Sequence, residues 1–119
     1  MLTGGLLAAP LAAEAQQAGK MYRLGILGNV PLSDTEGARL WGALNQGLRE
    51  LGYVEGQNLV VEHLSTEGRS ERLSALAAAL VRWKPDVIVV PNNSNAIAAR
   101  RATETIPVVA GAFSEGAAS

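Results

Sequence analysis

The sequence contains no cysteine. Disulfides, thiolate metal sites and cysteine nucleophiles are thereby excluded. So, within these residues, is the acylated N-terminal cysteine that usually tethers a secreted bacterial protein. A dominant charge is missing too: 10 Lys and Arg against 11 Asp and Glu leave a net charge of −1, with no basic stripe of the kind that tracks a phosphate backbone. The one pair of adjacent basic residues, Arg100 and Arg101, reads as a solvated helix face. Nucleic acid is therefore not an expected partner. Nucleotide and catalytic signatures are equally scarce. After the first expected strand there is no G-x-G-x-x-G, only Gly25 and Gly28, with Gly25 inside the strand. A Walker A loop and a G-x-S-x-G elbow are absent. The single histidine, His63, sits beside Glu62 on a strand, where neighbours point to opposite faces and cannot form a dyad. Asp34 and Asp86 do not make the acidic cluster of a phospho-acceptor domain, because Asp86 opens its strand at the other end of the sheet. No nucleophile–base pair is left, so neither an enzyme nor a cofactor or metal site is expected.

What is present is organised around residues 86–99, DVIVVPNNSNAIAA. Four consecutive β-branched apolar residues, Val87 to Val90, read as a strand buried on both faces in the middle of a parallel sheet. Pro91 removes a backbone donor and ends it. Asn92, Asn93, Ser94 and Asn95 are turn and N-cap residues, and a small-residue helix is expected from Ala96 to about Thr105. The product is a buried strand, a polar elbow and a helix N-terminus, the arrangement that places ligands at the carboxyl ends of strands in open α/β sheets.

The rest of the chain repeats the alternation. Residues 22–28, YRLGILG, form the first strand with Leu24, Ile26 and Leu27 as core, and a turn-rich loop follows to Asp34. Residues 35–51 carry Trp41, Leu44, Leu48 and Leu51 on one helical face, and Gly52 is a natural left-handed stop. Glu55 to Asn58 make a turn into a second strand over residues 59–64. A helix over residues 70–84, N-capped by Ser70, is stopped by Pro85. Residues 107–112 are the fourth strand. With 119 residues, 48% of them hydrophobic and 18% charged, the order β-α-β-α-β-α-β implies one globular α/β unit with a parallel, doubly wound sheet.

Candidate binding residues are the uncharged hydrogen-bonding groups after the strands: Asn29 and Ser33 after the first, Ser65 and Thr66 after the second, Asn92, Asn93, Ser94 and Asn95 after the third. They suit a small polar or zwitterionic solute, whose carboxylate would take the N–H groups of Ser94, Asn95 and Ala96 at the positive end of the helix dipole. The plainer reading, ordinary caps and turns, stays open beside it, above all for Ser33 and Thr66.

Residues 1–15, MLTGGLLAAPLAAEA, read as the apolar and cleavage regions of an export signal, with cutting expected after Ala15. The apolar part is too short to span a bilayer as a mature helix, and no Lys or Arg precedes it. Residues 16–20 are a polar spacer, residues 21–112 the α/β lobe, and residues 113–119 an unpatterned tail.

This N-terminus, together with YRLGILG at 22–28, GLRELGYVEGQN at 47–58, EGRSERL at 67–73, KPDVIVV at 84–90 and TIPVV at 105–109, resembles the start of ABC-transporter substrate-binding proteins of the TrpX-like family. The resemblance implies a type I periplasmic-binding-protein fold, in which two Rossmann-like lobes close on an amino acid or another small organic solute and deliver it to an ABC permease in the inner membrane. It implies a periplasmic location, and ligand contacts from Asn29 to Ser33, from Asn92 to Ala96, and at Ala112 and Phe113. Where the family has small residues such as Gly-Thr-Pro in the third elbow, this chain has Asn92, Asn93 and Ser94. Against that family the sequence is an incomplete first lobe, about one-third of a binding protein, and this part alone is expected to bind its solute weakly or not at all. The competing class is a cytoplasmic ligand-sensing regulatory domain of the same fold.

Overall fold

Apolar residues and hydrogen-bonding register place four parallel strands side by side. A computed structural model describes residues 20–110. The stretch expected to be an export signal cut after Ala15, and the expected contact residues Ala112 and Phe113, lie outside the described residues. The strands are β1 (Tyr22–Gly28), β2 (Leu59–Ser65), β3 (Val87–Val90) and β4 (Val108–Ala110), in the order β2-β1-β3-β4. Every pairing is parallel, with Ile26 opposite both His63 and Val89, and Val90 opposite Ala110. The helices are α1 (Thr35–Glu50), α2 (Leu73–Arg82) and α3 (Asn93–Ala102), with a single 3-10 turn, Ser70–Arg72, before α2. Strand order reverses at the β1/β3 boundary: from β1 the chain moves one way to β2, while β3 and β4 lie on the other side. Right-handed crossovers then put α1 on one face and α2 with α3 on the other. This is the doubly wound sheet that the sequence pattern implied.

The alternation of side chains along each strand feeds both layers. Leu24 and Ile26 of β1, Leu59 of β2 and Val89 of β3 pack beneath Trp41, Leu44 and Leu48 of α1. Leu27 of β1 with Ile88 and Val90 of β3 pack beneath Ala77 and Leu80 of α2 and Ala96 and Ala99 of α3. The second layer is the tighter one, since all seven of those residues are at most 1% exposed.

Helix ends follow local chemistry. Asp34 N-caps α1, its carboxylate accepting from Glu36 N at 3.0 Å. At the other end Gly52, at φ 96°, donates to Arg49 O while Tyr53 N donates to Leu48 O, a complete Schellman closure. Leu51 therefore caps the helix and is 50% exposed, outside the apolar face assigned to it from spacing. Two other expectations need correction. Ser70 does not cap α2: it opens the 3-10 turn, and no side chain caps α2. The helix after β3 begins at Asn93, three residues earlier than the apolar pattern suggested, because Asn92 caps it by accepting from Asn95 N at 2.9 Å.

Candidate functional site

The carboxyl ends of β1 and β3 lie side by side at the point where strand order reverses, so the β1–α1 loop and the β3–α3 elbow diverge from a common crest. Asn29, half-buried, and Asn92, exposed, form that crest. Both line a recess on each side of it. On the α2/α3 side is a recess of about 270 Å³ lined mostly by polar residue types, Thr66, Ser70 and Ser94 among them. On the α1 side a cavity of about 300 Å³ is lined mainly by apolar groups, among them Ile26, Val30, Leu40, Trp41 and Leu44. Its polar walls, besides the crest, are His63 and Glu36.

The crest is held by buried asparagine chemistry. Asn95 is 2% exposed, and its Nδ2 donates to Leu27 O at 2.9 Å and to Asn29 Oδ1 at 3.2 Å. Thr66, also 2% exposed, donates its hydroxyl to the same Asn29 Oδ1 at 3.2 Å, and its backbone N–H to Gly28 O at 3.1 Å. The last two carbonyls of β1 are thereby satisfied, one from the first turn of α3 and one from the loop after β2, as buried backbone acceptors require.

The residues singled out from the sequence divide accordingly. Asn29, Asn92 and Ser94 meet at the recesses, with Asn92 and Ser94 exposed. Asn93 and Ser33 are exposed but line neither recess. Ala96 is fully buried against the sheet, and Asn95 is committed to the β1 carbonyl and to Asn29. The N–H groups of Asn95 and Ala96, offered above to a carboxylate, are already taken by Asn92 Oδ1 and Asn92 O; of that trio Ser94 N keeps its place in the unpaired first turn. Ser65 is likewise used locally, its Oγ accepting from Glu67 N at 3.1 Å.

The sequence reading passed over His63 and the α1 side. His63 faces α1 because it is opposite Ile26 in the register, and Gly28 leaves room for it: a Cβ at that glycine would stand 3.2 Å from the imidazole Nε2. Burial lowers its pKa below the ordinary 6.5, with Glu62 opposing to a lesser degree. Trp41 and Leu44 were read as core, and they do cover the sheet, but they also wall the cavity.

The amino end of the sheet looks different. Asn58, 2% exposed, accepts from Val54 N and donates to Gly52 O, while Asp86 and Arg23 exchange two hydrogen bonds. The Asn58 side chain closes the turn before β2, and the Arg23–Asp86 pair ties β1 to the residue before β3.

Comparison with known proteins adds a family and a set of structures. The model of the family described as ABC transporter substrate binding protein matches residues 30–117. No curated protein sequence matches the chain. Among solved structures, a conserved domain protein of Vibrio cholerae is similar over 78% of this chain and 31% of its own, at 29% identity and a TM-score of 0.70. The ligand-free, open structure of CD0873, a substrate binding protein with adhesive properties from Clostridium difficile, is similar over 76% of this chain and 30% of its own, at 20% identity and a TM-score of 0.67. An ABC domain in complex with L-Trp from Streptococcus pneumonia is similar over 76% of this chain and 30% of its own, at 22% identity and a TM-score of 0.66. The chain thus spans about three tenths of the length of these structures.

Proposed function

This chain belongs to the ABC transporter substrate binding protein family, and we propose that it supplies one wall of a solute-binding cleft, with the solute held at the carboxyl ends of β1 and β3. The observation that carries this reading is the crest itself: Asn29 and Asn92, uncharged and hydrogen-bonding, at the strand-order reversal, each opening onto a recess of mostly polar residue types and onto an apolar one. Such a pair of recesses suits a small amphipathic solute, with its polar end on Asn29, Asn92 and Ser94 and its apolar part toward Trp41. An amino acid fits that description, and the L-Trp held by the Streptococcus structure supports the choice of class. We assign Asn29, Asn92 and Ser94 to direct contact, and the exposed Asn93 to the rim.

In a two-lobed binder the solute is enclosed when the lobes close, and residues 21–112 are proposed as one lobe. The permease of an ABC importer is the proposed membrane partner, and the extracytoplasmic side, the periplasm, the proposed location. Among the described residues no helix is long and apolar enough to cross a membrane.

The test is a thermal-shift screen of the 119-residue chain against the amino acids, aromatic ones included. Binding to the native state raises the melting temperature by mass action. A shift that depends on Asn29 and Asn92 is expected; a shift unaffected by replacing both with Ala would move the site elsewhere. Fractionation of the source cells tests location. Recovery of mature protein in the cytoplasm would favour the regulatory-domain reading.

A further inference from the structure

Two donors converge on one oxygen at the carboxyl end of β1. Asn95 Nδ2 and the Thr66 hydroxyl both reach Asn29 Oδ1, at 3.2 Å each. The Asn95 donor is not free to turn away, and the backbone that carries the Thr66 hydroxyl is held in place. Asn95 is 2% exposed, and its Nδ2 is also bound to Leu27 O at 2.9 Å. Thr66 is as deeply buried and is pinned through its own N–H to Gly28 O. Were the Asn29 amide rotated by half a turn, its NH2 would face the NH2 of Asn95, two donors with no acceptor between them. The orientation of Asn29 is therefore fixed by its neighbours, and its own Nδ2, which has no acceptor among the described residues, is left on the crest beside both recesses.

We propose that Asn29 Nδ2 is a pre-set hydrogen-bond donor that selects solutes by an acceptor oxygen, a carboxylate or carbonyl, and that Asn95 and Thr66 are the positioning residues that set it. This deepens the solute-binding reading and rests on it. The selectivity follows from what a fixed donor rejects. A solute presenting an ammonium group or an apolar end at this point leaves the amide unpaired or meets it donor to donor, and an unpaired buried donor is costly. Because the amide is oriented before the solute arrives, no side-chain ordering opposes binding at that contact.

The experiment is a titration of the 15N-labelled full chain, followed by the side-chain and backbone amide resonances, with sodium acetate, L-tryptophan and tryptamine as probes. Acetate is a bare acceptor; tryptamine keeps the indole and the amine but has no acceptor oxygen. The Asn29 side-chain resonances are expected to move with acetate and L-tryptophan and to stay still with tryptamine. N29D keeps the shape and still accepts from Asn95 and Thr66, but turns a carboxylate to the solute. It is expected to weaken L-tryptophan at least tenfold and reverse the preference toward tryptamine. T66V removes one of the two orienting donors and is expected to reduce the discrimination between the probes, with T66S restoring it; a merely structural hydroxyl would change the melting temperature and leave discrimination alone. If acetate moves Asn29 and L-tryptophan moves nothing, the inference stands and the amino-acid reading falls. If L-tryptophan moves crest backbone amides while the Asn29 side chain stays still, the inference is overturned and the reading survives. If no probe moves Asn29 or its neighbours, both are overturned.

Discussion

The two faces of the sheet carry helices of similar amphipathic design and pack them to different tightness. On the α2/α3 face, Leu80, Ile88, Val90, Ala96 and Ala99 are fully buried. On the other face, Gly37 is the one residue of α1 that is buried, and its Trp41, Leu44 and Leu48 are only partly covered. A cavity of about 300 Å³ opens between α1 and the sheet, and the described residues' one buried side-chain atom without a hydrogen-bond partner, Asn45 Oδ1, is on α1. The difference is instructive because the crest needs both kinds of packing. Small alanines bring α3 close enough to the sheet for Asn95 to reach Leu27 O and fix Asn29. The looser α1 layer leaves room beside the same crest.

The comparison is broken most directly by truncating a leucine in each layer. Leu80→Ala is expected to destabilise the chain by about 3 kcal/mol, within the usual range for a fully buried leucine. Leu44→Ala, at the edge of the cavity, is expected to cost less than half of that. Urea unfolding of both variants checks this, and equal losses would mean that the two faces are equally well packed. Gly37→Ala comes next, because a Cβ there would meet Pro31 O at 2.1 Å and only a backbone shift relieves it. A loss of about 2 kcal/mol is expected. The same change at Gly42 or Gly47, where nothing lies within 4 Å of the added carbon, is expected to stabilise α1 by about 1 kcal/mol through helix propensity. Asn45→Leu is expected to raise stability by about 1 kcal/mol, since it removes a buried acceptor that has nothing to accept. An unchanged or lower melting temperature would show that this carbonyl is satisfied.

The smallest effect concerns pH. His63 has its pKa lowered by burial beside the cavity, so the native state prefers the neutral ring. Above the ordinary value of 6.5 both folded and unfolded chains hold it neutral, and it adds no slope. As pH falls below 6.5 the unfolded chain takes the proton first, and stability is lost down to the lowered native value. His63→Gln is expected to remove that part of the slope of melting temperature against pH and leave the rest.

Much of this architecture was legible from residue pattern. Four apolar residues from Val87 to Val90 can be buried on both sides only in a central strand, and the strand–helix alternation then fixes a doubly wound sheet. The Gly52 helix stop was equally readable, because few other residues tolerate φ 96°. Which strand-end residues stay open beside the proposed site was harder to read from the sequence. Asn95 and Ala96 followed three polar residues and so looked like part of an open elbow. Once Asn92 caps the helix, however, Asn95, Ala96 and Ala99 fall on one inward face. That spacing was present in the sequence, but it points inward only if the helix starts at Asn93. Trp41 had the spacing of a core residue, and spacing does not distinguish a side chain that fills the space under a helix from one that walls it. Ser70 failed as a cap because the backbone makes a 3-10 turn first.

Hydrogen–deuterium exchange of the 119-residue chain, with and without L-tryptophan, tests the central claim most directly. It compares the Asn29 and Asn92 end of the sheet with the Asn58 and Asp86 end in one experiment. Slower exchange confined to residues 28–33 and 91–96 is the result this account expects. Protection at residues 52–58 and 84–86 instead, with none at the crest, would contradict it.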